Sequence, residues 1–272
     1  MDAKFDQNLE MYVSEAEFFE RVLLPQLNNL DKNSHVVEIG AGIGALALKI
    51  ASHGFEVTAF EPQSAGFNQM YEMRKQLMDQ GVQNVNVDFR DDYLDEKTQL
   101  GRSADLVLAV NVIEHVPDFG ILIDNALKIK SPSGSIRIIC PNYAIPYEPH
   151  FEIPTFFLKQ ITFRAFRKRI EKSNIENPID FWHDLSWPSQ RRLQRLLTDM
   201  NLDFEFSREA FSHYIDRALE DKRFTDRKGA IIGKLIWLYA FSVQKISSFI
   251  PLFLTPIIDC HIYGKKSDSN VS

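Results

Sequence analysis

The segment Glu-Ile-Gly-Ala-Gly-Ile-Gly at residues 38–44 constrains the fold of this chain more than any other feature. It follows an apolar run at residues 35–39 that predicts a β-strand, and it precedes residues 45–51, whose pattern predicts a helix. Glycine allows a sharp turn and a close approach of the backbone to a ligand. We therefore predict a strand, a tight turn and a helix whose free N–H groups face a ligand.

Apolar runs and helical patterns alternate through the rest of the first half. Further strands are predicted at residues 55–60, 85–89, 105–110 and 135–140, the last after a turn at 132–134. Helices are predicted at residues 64–80, ending at Gly81, and at 118–129. Five βα repeats of this kind predict an α/β fold with a parallel, doubly wound sheet and right-handed crossovers.

The second half is less regular, and we expect one domain over residues 1–272 with a cofactor-binding core at 34–141. Residues 142–187, rich in proline and aromatic residues, are predicted to form an acceptor-binding insertion or lid. The remaining predictions are a helix at 188–200 with Pro188 in its first turn, a strand at 204–206, a hydrophobic helical insertion at 211–250, a final strand at 255–263 and a polar tail at 264–272.

Composition excludes several classes of protein. Of 272 residues, 44% are hydrophobic and 25% charged, with a net charge of −6, so we expect a globular protein that does not bind nucleic acid. Two cysteines exclude a disulfide scaffold and a cysteine-based zinc site, and we predict no metal site. The acidic N-terminal residues do not resemble a signal peptide, which favours a cytoplasmic location.

Acidic residues follow the predicted strands at positions suited to a nucleoside ligand. Glu61 ends the second strand, where its carboxylate can accept hydrogen bonds from ribose hydroxyls, and Asp91 and Asp92 follow the third strand. The glycine pattern and its spacing to Glu61 also fit a dinucleotide-binding loop, so a nicotinamide-dependent oxidoreductase is an alternative. Glu38 favours a cationic ligand group over a pyrophosphate.

Residues 111–116, Asn-Val-Ile-Glu-His-Val, complete the pattern after the fourth strand, at the edge of the sheet where ligands bind. Together these motifs resemble those of class I S-adenosylmethionine-dependent methyltransferases. The resemblance implies S-adenosylmethionine as the cofactor and a seventh, antiparallel strand beside the fifth, for which residues 255–263 are the candidate. The cofactor-binding residues that it implies are Glu38, Gly40, Ala41, Gly42, Gly44, Glu61, Pro62, Asp91, Asp92, Asn111, Val112 and His115.

The loop at residues 141–154 leaves the fifth strand beside the expected methyl donor, and three prolines before His150 stiffen it. It resembles the corresponding stretch of methyltransferases of bacterial polysaccharide and glycolipid pathways. That resemblance implies a small or glycan-like acceptor, and we expect the methyl group to reach an oxygen atom. A hydroxyl acceptor must lose its proton, and a histidine is a suitable base near neutral pH. His150 is the first candidate and His115 the second; His183 is a third candidate that we expect to pack. The predicted acceptor-binding residues are Asn142, Tyr143, Tyr147, Glu148 and His150.

Two segments have more than one interpretation. The basic cluster at residues 164–172 is either a solvated helix face or a site for an anionic acceptor or membrane surface. The apolar segment at 231–258 is either buried against the insertion or a partner, or rests on the inner face of a membrane. Its longest uncharged piece has 13 residues, whereas a spanning helix needs about 20. A non-catalytic, methyltransferase-like binding protein at a membrane is a further alternative.

Overall fold

The computed structural model describes residues 3–62, 68–79, 85–156, 158–173, 175 and 177–266. The helices are α1 Ala3–Leu27, α2 Ala45–Ser52, α3 Asn68–Asp79, α4 Phe119–Ile129, α5 Lys159–Glu171, α6 Pro178–Asp184, α7 Gln190–Asp199, α8 Glu209–Glu220, α9 Lys222–Arg227 and α10 Ala230–Val243. The strands are β1 His35–Ile39, β2 Glu56–Phe60, β3 Val87–Arg90, β4 Ala104–Val110, β5 Lys130–Pro141, β6 Tyr147–Glu148, β7 Ile153–Pro154, β8 Leu202–Phe206 and β9 Ile257–Lys265. Short 3-10 turns lie at Ile113–His115 and Leu252–Leu254.

A seven-stranded sheet forms the centre of the molecule, in the order β3-β2-β1-β4-β5-β9-β8. Strands β1 to β5 pair in parallel, and β9 lies antiparallel between β5 and β8. This arrangement confirms the predicted doubly wound sheet with an antiparallel strand beside the fifth. The strand order reverses between β1 and β4, so the loops after these strands flank the crevice where such sheets bind ligands.

Two hydrophobic cores cover the faces of the sheet. One lies under α1, α2 and α8, and the other under α4 and α7. All five residues of β1 are buried, and three of them, Val36, Val37 and Ile39, are apolar, as expected of a strand covered on both faces. Helix α1 was not predicted from the sequence, although its Val22, Leu23 and Leu27 are fully buried in the first core.

Three of the differences from the predicted elements are local. The predicted turn at 132–134 is a bulge within β5, because pairing moves from Ala104–Lys130 to Leu106–Ser135. The connection between β3 and β4 contains no helix, so one of the five predicted repeats is a loop. Pro188 precedes the helix instead of lying in its first turn, because Ser189 is the N-cap of α7 and accepts a hydrogen bond from the Arg192 amide.

The third helix agrees with its prediction over Asn68–Asp79. Residues 64–67 at its predicted start, its predicted end at Gly81, and residues 267–272 of the predicted tail lie outside the described residues. The predicted tail was wrong at Gly264 and Lys265, because β9 continues through them. The predicted segment at 211–250 divides into α8, α9 and α10, which separate at Asp221, the N-cap of α9, and at Gly229, whose φ is 77°.

The insertion after β5 has a small core of its own. The hairpin of β6 and β7 packs with α5 and α6 around Phe151, Ile153, Ile170, Trp182 and Leu185. The basic side chains at 164–172 are exposed on α5, whereas Phe163 and Phe166 pack inward.

Helix α10 buries only one narrow face. Ile236, Ala240 and Val243 pack against α8 and α9, and Gly233 lies so close to Thr225 that a Cβ atom would meet its carbonyl oxygen at 2.2 Å. Apart from half-buried Ile232, the other large apolar side chains of α10 are exposed to solvent, with Ile231 78% exposed. Among the residues that the structure describes, no helix combines the length and the apolar character that crossing a bilayer requires.

Candidate active site

The glycine loop after β1 adopts a conformation that only glycine tolerates well. Gly40, Gly42 and Gly44 have φ values of 68°, 55° and 77°, in the left-handed region. A Cβ atom on Gly40 would lie 2.5 Å from a methyl carbon of Val112, and one on Gly44 would lie 2.5 Å from the Phe89 ring. The loop is therefore compressed between the ends of β3 and β4, on the crevice of the sheet.

Glu61 reaches back from the end of β2 to this loop. Its Oε2 accepts a hydrogen bond of 2.7 Å from the Gly42 amide. Burial raises the pKa of Glu61, and the Gly42 hydrogen bond and the charge of Arg74 offset part of that rise. Pro62 follows as a half-buried residue. The carboxylate predicted to bind ribose is thus next to the loop predicted to bind the rest of the nucleoside.

Glu38 lies on β1, directly beneath the loop, and is 4% exposed. Burial, and then the charge of Glu61, raises the pKa of Glu38 to about 8, although a hydrogen bond with the Ala47 backbone lowers it in part. Its Oε2 has no hydrogen-bond partner among the described residues. A buried acid of this kind suits a positively charged ligand group, which would stabilise the ionised form.

Arg74 on α3 is a site residue that sequence reasoning missed. Its guanidinium donates to the carbonyl of Gly42 at 2.8 Å and to Oδ1 of Asp91 at 3.0 Å, and it lies over the Phe89 ring. Asp91 is therefore the acid that the structure connects to the glycine loop, whereas Asp92 is exposed on a neighbouring surface cavity. No motif in the sequence marks Arg74.

The motif after β4 closes the other side of the crevice. Asn111 has a left-handed φ of 54° and donates from its amide to the Ile139 carbonyl, while Val112 packs under Gly40. Ser186 of the insertion donates to the carbonyls of Ile113 and Glu114. These hydrogen bonds fix the insertion, on the acceptor side of the crevice, to the motif after β4, on the cofactor side.

Two histidines meet at this junction. The rings of His115 and His150 lie 5.0 Å apart and nearly perpendicular, and Phe181 lies 5.2 Å from each. Burial, and then the charge of His150, lowers the pKa of His115 to about 3. The structure thus brings together the two catalytic candidates, although they are separated in the sequence.

Glu148 holds His150 in place. This carboxylate is fully buried, and it accepts hydrogen bonds from Nδ1 of His150 at 2.6 Å, the Phe151 amide at 2.6 Å and the Tyr143 hydroxyl at 3.1 Å. Burial alone would raise the pKa of Glu148, but the bond from His150 and the backbone amides outweigh it, and the pKa is lowered. The carboxylate therefore orients the imidazole.

The other predicted acceptor residues are placed differently. Asn142 is buried and uses its side-chain amide to bond the carbonyls of Phe253 and Thr255, which anchors the loop. The Tyr147 hydroxyl is near Glu152 and Tyr214, and burial followed by these groups raises its pKa. The exposed His183 contacts Phe163, as expected of a packing residue.

A family model described as "Methyltransferase domain" matches residues 12–205, which is more than half of the chain and includes both sides of this crevice. The chain belongs to this methyltransferase family. Membership confirms the predicted enzyme class, S-adenosylmethionine-dependent methyl transfer, and favours it over the nicotinamide-dependent alternative. The residues fit that cofactor, because buried Glu38 has an unpartnered carboxylate oxygen beside the glycine loop and the Glu61 carboxylate contacts the same loop.

Three similar proteins each share less than 30% of their aligned residues with this chain. An uncharacterised protein of Mycobacterium tuberculosis (strain ATCC 25618 / H37Rv) is 29% identical over 254 residues, or 92% of this chain and 85% of that protein. A ubiquinone biosynthesis O-methyltransferase of Coxiella burnetii (strain RSA 493 / Nine Mile phase I) is 27% identical over 105 residues, 39% of this chain and 42% of that protein. The plantazolicin methyltransferase BpumL was solved with a triazolic desmethylPZN analog and SAH. It matches 97% of this chain and 90% of its own chain, with a TM-score of 0.52 and 10% identity. This likeness confirms the fold.

Proposed function

We propose that this protein methylates an oxygen atom of a small or glycan-like acceptor, such as a sugar or a lipid-linked saccharide. The observation that carries the proposal is the pairing of His150 with buried Glu148, at the junction between the insertion and the motif after β4. A histidine oriented by a carboxylate is suited to accepting a proton from a hydroxyl group near neutral pH.

The cofactor side of the proposal assigns a role to each part of the crevice. The backbone of Gly40, Ala41, Gly42 and Gly44 receives the donor, Glu61 binds its ribose, and Glu38 faces its positive charge. Asp91, tied to the loop by Arg74, is favoured over Asp92 as the acid on the adenine side. Pro62, Asn111, Val112 and His115 complete the proposed lining. When bound, the cofactor supplies a methyl group on a cationic sulfur.

The acceptor side depends on the insertion. An oxygen that receives a methyl group must lose its hydroxyl proton, and we propose that a ring nitrogen of His150 takes it. Glu148 occupies Nδ1, which leaves Nε2 for the acceptor. Holding the acceptor in line with the donor can supply up to ~7–11 kcal/mol of the acceleration.

A hydroxyl-rich acceptor is favoured by the surroundings of this histidine. Trp187 stacks on Tyr143 at 5.5 Å, and its indole N–H has no hydrogen-bond partner among the described residues. The likeness of residues 141–154 to loops of polysaccharide and glycolipid methyltransferases supports the same class.

Calorimetric titration with S-adenosylmethionine, S-adenosylhomocysteine and NAD tests the cofactor, and a panel of saccharide and phenolic acceptors tests the reaction. We expect the first two ligands to bind, Glu61→Ala to weaken both, and methyl transfer to a hydroxyl-bearing member of the panel. Binding of NAD alone would overturn the class. Cofactor binding without turnover on any acceptor would favour the non-catalytic alternative.

We also propose that the protein contacts an anionic membrane surface through α5 and the segment from α10 to Leu254. On α10 and the turns after it, Leu235 and Phe249 are 59% and 82% exposed, and Lys234 and Lys245 flank them. Large exposed apolar patches mark interaction sites, and lysines beside them favour anionic lipid.

Glu152 connects the basic part of this surface to the start of the apolar segment. Arg169 of α5 donates to the Glu152 carbonyl at 3.0 Å, and Lys228, just before α10, lies 3.4 Å from the Glu152 carboxylate. Glu152 therefore links the basic cluster to Lys228, two residues before α10, which supports treating the two segments as one membrane-facing surface.

Co-sedimentation with vesicles tests the membrane proposal. We expect binding to vesicles that contain phosphatidylserine, weaker binding to phosphatidylcholine alone, and loss of binding in the double variant Leu235→Ser, Phe249→Ser. Tyr93→Ser is the matched control, because Tyr93 is 70% exposed on a different part of the surface. Equal sedimentation of the control and the double variant would contradict the proposal, as would self-association that buries α10 and leaves no lipid binding.

A further inference from the structure

Glu114 differs from the other buried acids of the described residues in the lack of partners for its carboxylate. It is completely buried in the turn after β4, and neither carboxylate oxygen has a hydrogen-bond partner among the residues that the structure describes. Burying a charged group without compensation is unfavourable, so such a group is normally paired or coordinates a metal. The backbone holds it there, because the Glu114 carbonyl accepts from the Ser186 amide at 2.7 Å.

Two ring nitrogens converge on this carboxylate. One oxygen of Glu114, one nitrogen of His115 and one nitrogen of His150 all lie within 4.8 Å of one another. Oxygen and nitrogen ligands at about 2.0–2.2 Å from a common ion lie roughly 3 Å apart. Small side-chain movements therefore bring the three atoms to coordination distance.

The surroundings supply the second layer of contacts that metal sites use. A histidine ligand usually donates its other ring N–H to a carboxylate, which fixes the ring and its tautomer. His150 has this partner, since its Nδ1 lies 2.6 Å from the buried Glu148.

A second cluster of possible metal ligands differs from this one because an arginine neutralises its acids. Glu209, Asp259 and His261 are equally close to one another, but Arg137 donates hydrogen bonds to Glu209 and Asp259 and supplies the positive charge. At Glu114 no Arg or Lys side chain of the described residues makes such a bond.

We propose that Glu114, His115 and His150 bind a divalent first-row cation, such as Zn²⁺ or Mn²⁺, that receives the oxygen of the acceptor. Two imidazoles and one carboxylate form a known ligand set for these ions. Three protein ligands leave a coordination position open, as catalytic sites require. The set carries one negative charge, so the bound ion keeps a net positive charge toward the acceptor.

The role of this ion rests on the proposed methyl transfer to an acceptor oxygen. The ion, and not His150, then activates the acceptor hydroxyl. A cation lowers the pKa of a hydroxyl group that binds to it. The hydroxyl proton passes to solvent, the oxygen bonds to the methyl carbon, and the carbon–sulfur bond of the donor breaks with its electron pair on sulfur. His150 then acts as a ligand instead of the proton acceptor.

Metal titration of the chelator-treated protein tests the site without any acceptor. Binding of Co²⁺ is followed by absorption spectroscopy, and binding of Zn²⁺ and Mn²⁺ by calorimetry. We expect one ion per chain and at least tenfold weaker binding in Glu114→Gln and in His150→Ala. His183→Ala should bind as the wild type does, because His183 is exposed elsewhere on the insertion. Circular dichroism and S-adenosylhomocysteine binding establish that each variant is folded.

The outcomes separate this inference from the proposed function. Absence of binding up to millimolar metal, or binding unchanged in both Glu114→Gln and His150→Ala, would overturn the cation site. If S-adenosylhomocysteine still binds in that case, the methyltransferase assignment stands and His150 remains the proposed base. One bound ion in a protein that binds no S-adenosylhomocysteine would support the cation site and contradict the cofactor proposal.

Discussion

The Glu61 carboxylate accepts a hydrogen bond of 2.7 Å from the Gly42 amide, which joins the end of β2 to the glycine loop after β1. The residue that shapes the loop and the residue proposed to bind ribose are therefore in direct contact. This contact fixes the position of the Glu61 carboxylate against the loop.

Glu61→Ala is expected to weaken S-adenosylhomocysteine binding by roughly 10- to 100-fold, because a hydrogen bond to a charged group contributes about 1.5–3 kcal/mol. Calorimetric titration measures the change. Glu56→Ala is the control, since Glu56 begins the same strand and its side chain is half exposed. Equal affinities of the two variants would remove Glu61 from the site.

Gly40→Ala is expected to abolish cofactor binding and to lower the melting temperature. The added methyl group would meet Val112 at 2.5 Å, and the φ of 68° is unfavourable for alanine. Gly229→Ala separates the two causes, because Gly229 has a φ of 77° with nothing within 4 Å of a Cβ. We expect the control to lose about 1–3 kcal/mol of stability, because its backbone conformation is unfavourable for alanine, and to bind cofactor normally.

Stability should depend on pH through Glu38. Its pKa is raised to about 8 in the folded protein against 4.5 ordinarily, so the folded state binds the extra proton between these values. The contribution of Glu38 is fully present below about pH 4.5 and is lost as the pH rises through 8. In Glu38→Gln, thermal melts should decline less steeply across this range. Parallel declines in the two proteins would show that Glu38 is ionised at neutral pH.

His150→Ala is expected to lower turnover at least ~100-fold with an identified acceptor, which is the lower range for acid–base groups. The affinity for S-adenosylhomocysteine should stay within about twofold, because the side chain lies on the acceptor side of the crevice. His183→Ala, an exposed histidine of the same insertion, should leave both quantities unchanged. Unaltered turnover in His150→Ala would exclude it from the reaction.

Arg137 provides a test of the fold itself. It is fully buried, and it donates to both oxygens of Asp259 and to Glu209. Arg137→Met should destabilise the protein by about 3–5 kcal/mol, because it leaves Asp259 buried without its partner. Urea unfolding measures this loss. Arg167→Met, at an exposed pair with Glu171, should cost less than about 1 kcal/mol.

The parallel strands were predictable because a strand buried on both faces is a short apolar run, and β1 and β4 both have this pattern. Helix α1 was not predicted, since acidic residues interrupt the apolar residues that pack on the sheet. The bulge at 131–134 contains residues typical of turns, so the sequence predicted a turn there. In the sheet, Gly134 lies close to the Ala104 carbonyl, and this contact explains why the turn residues do not end the strand.

By itself, the sequence determined the local features: the strand before the glycine turn, the acids at the strand ends, and the motif at residues 111–116. These features depend on neighbouring residues, whose periodicity and backbone preferences are read directly from the chain. Only the tertiary structure decided that Arg74 bonds Asp91 and that His115 and His150 share a site with Glu114. Those contacts form because the strand order and the docking of the insertion bring distant segments together, and local sequence patterns do not encode such distances.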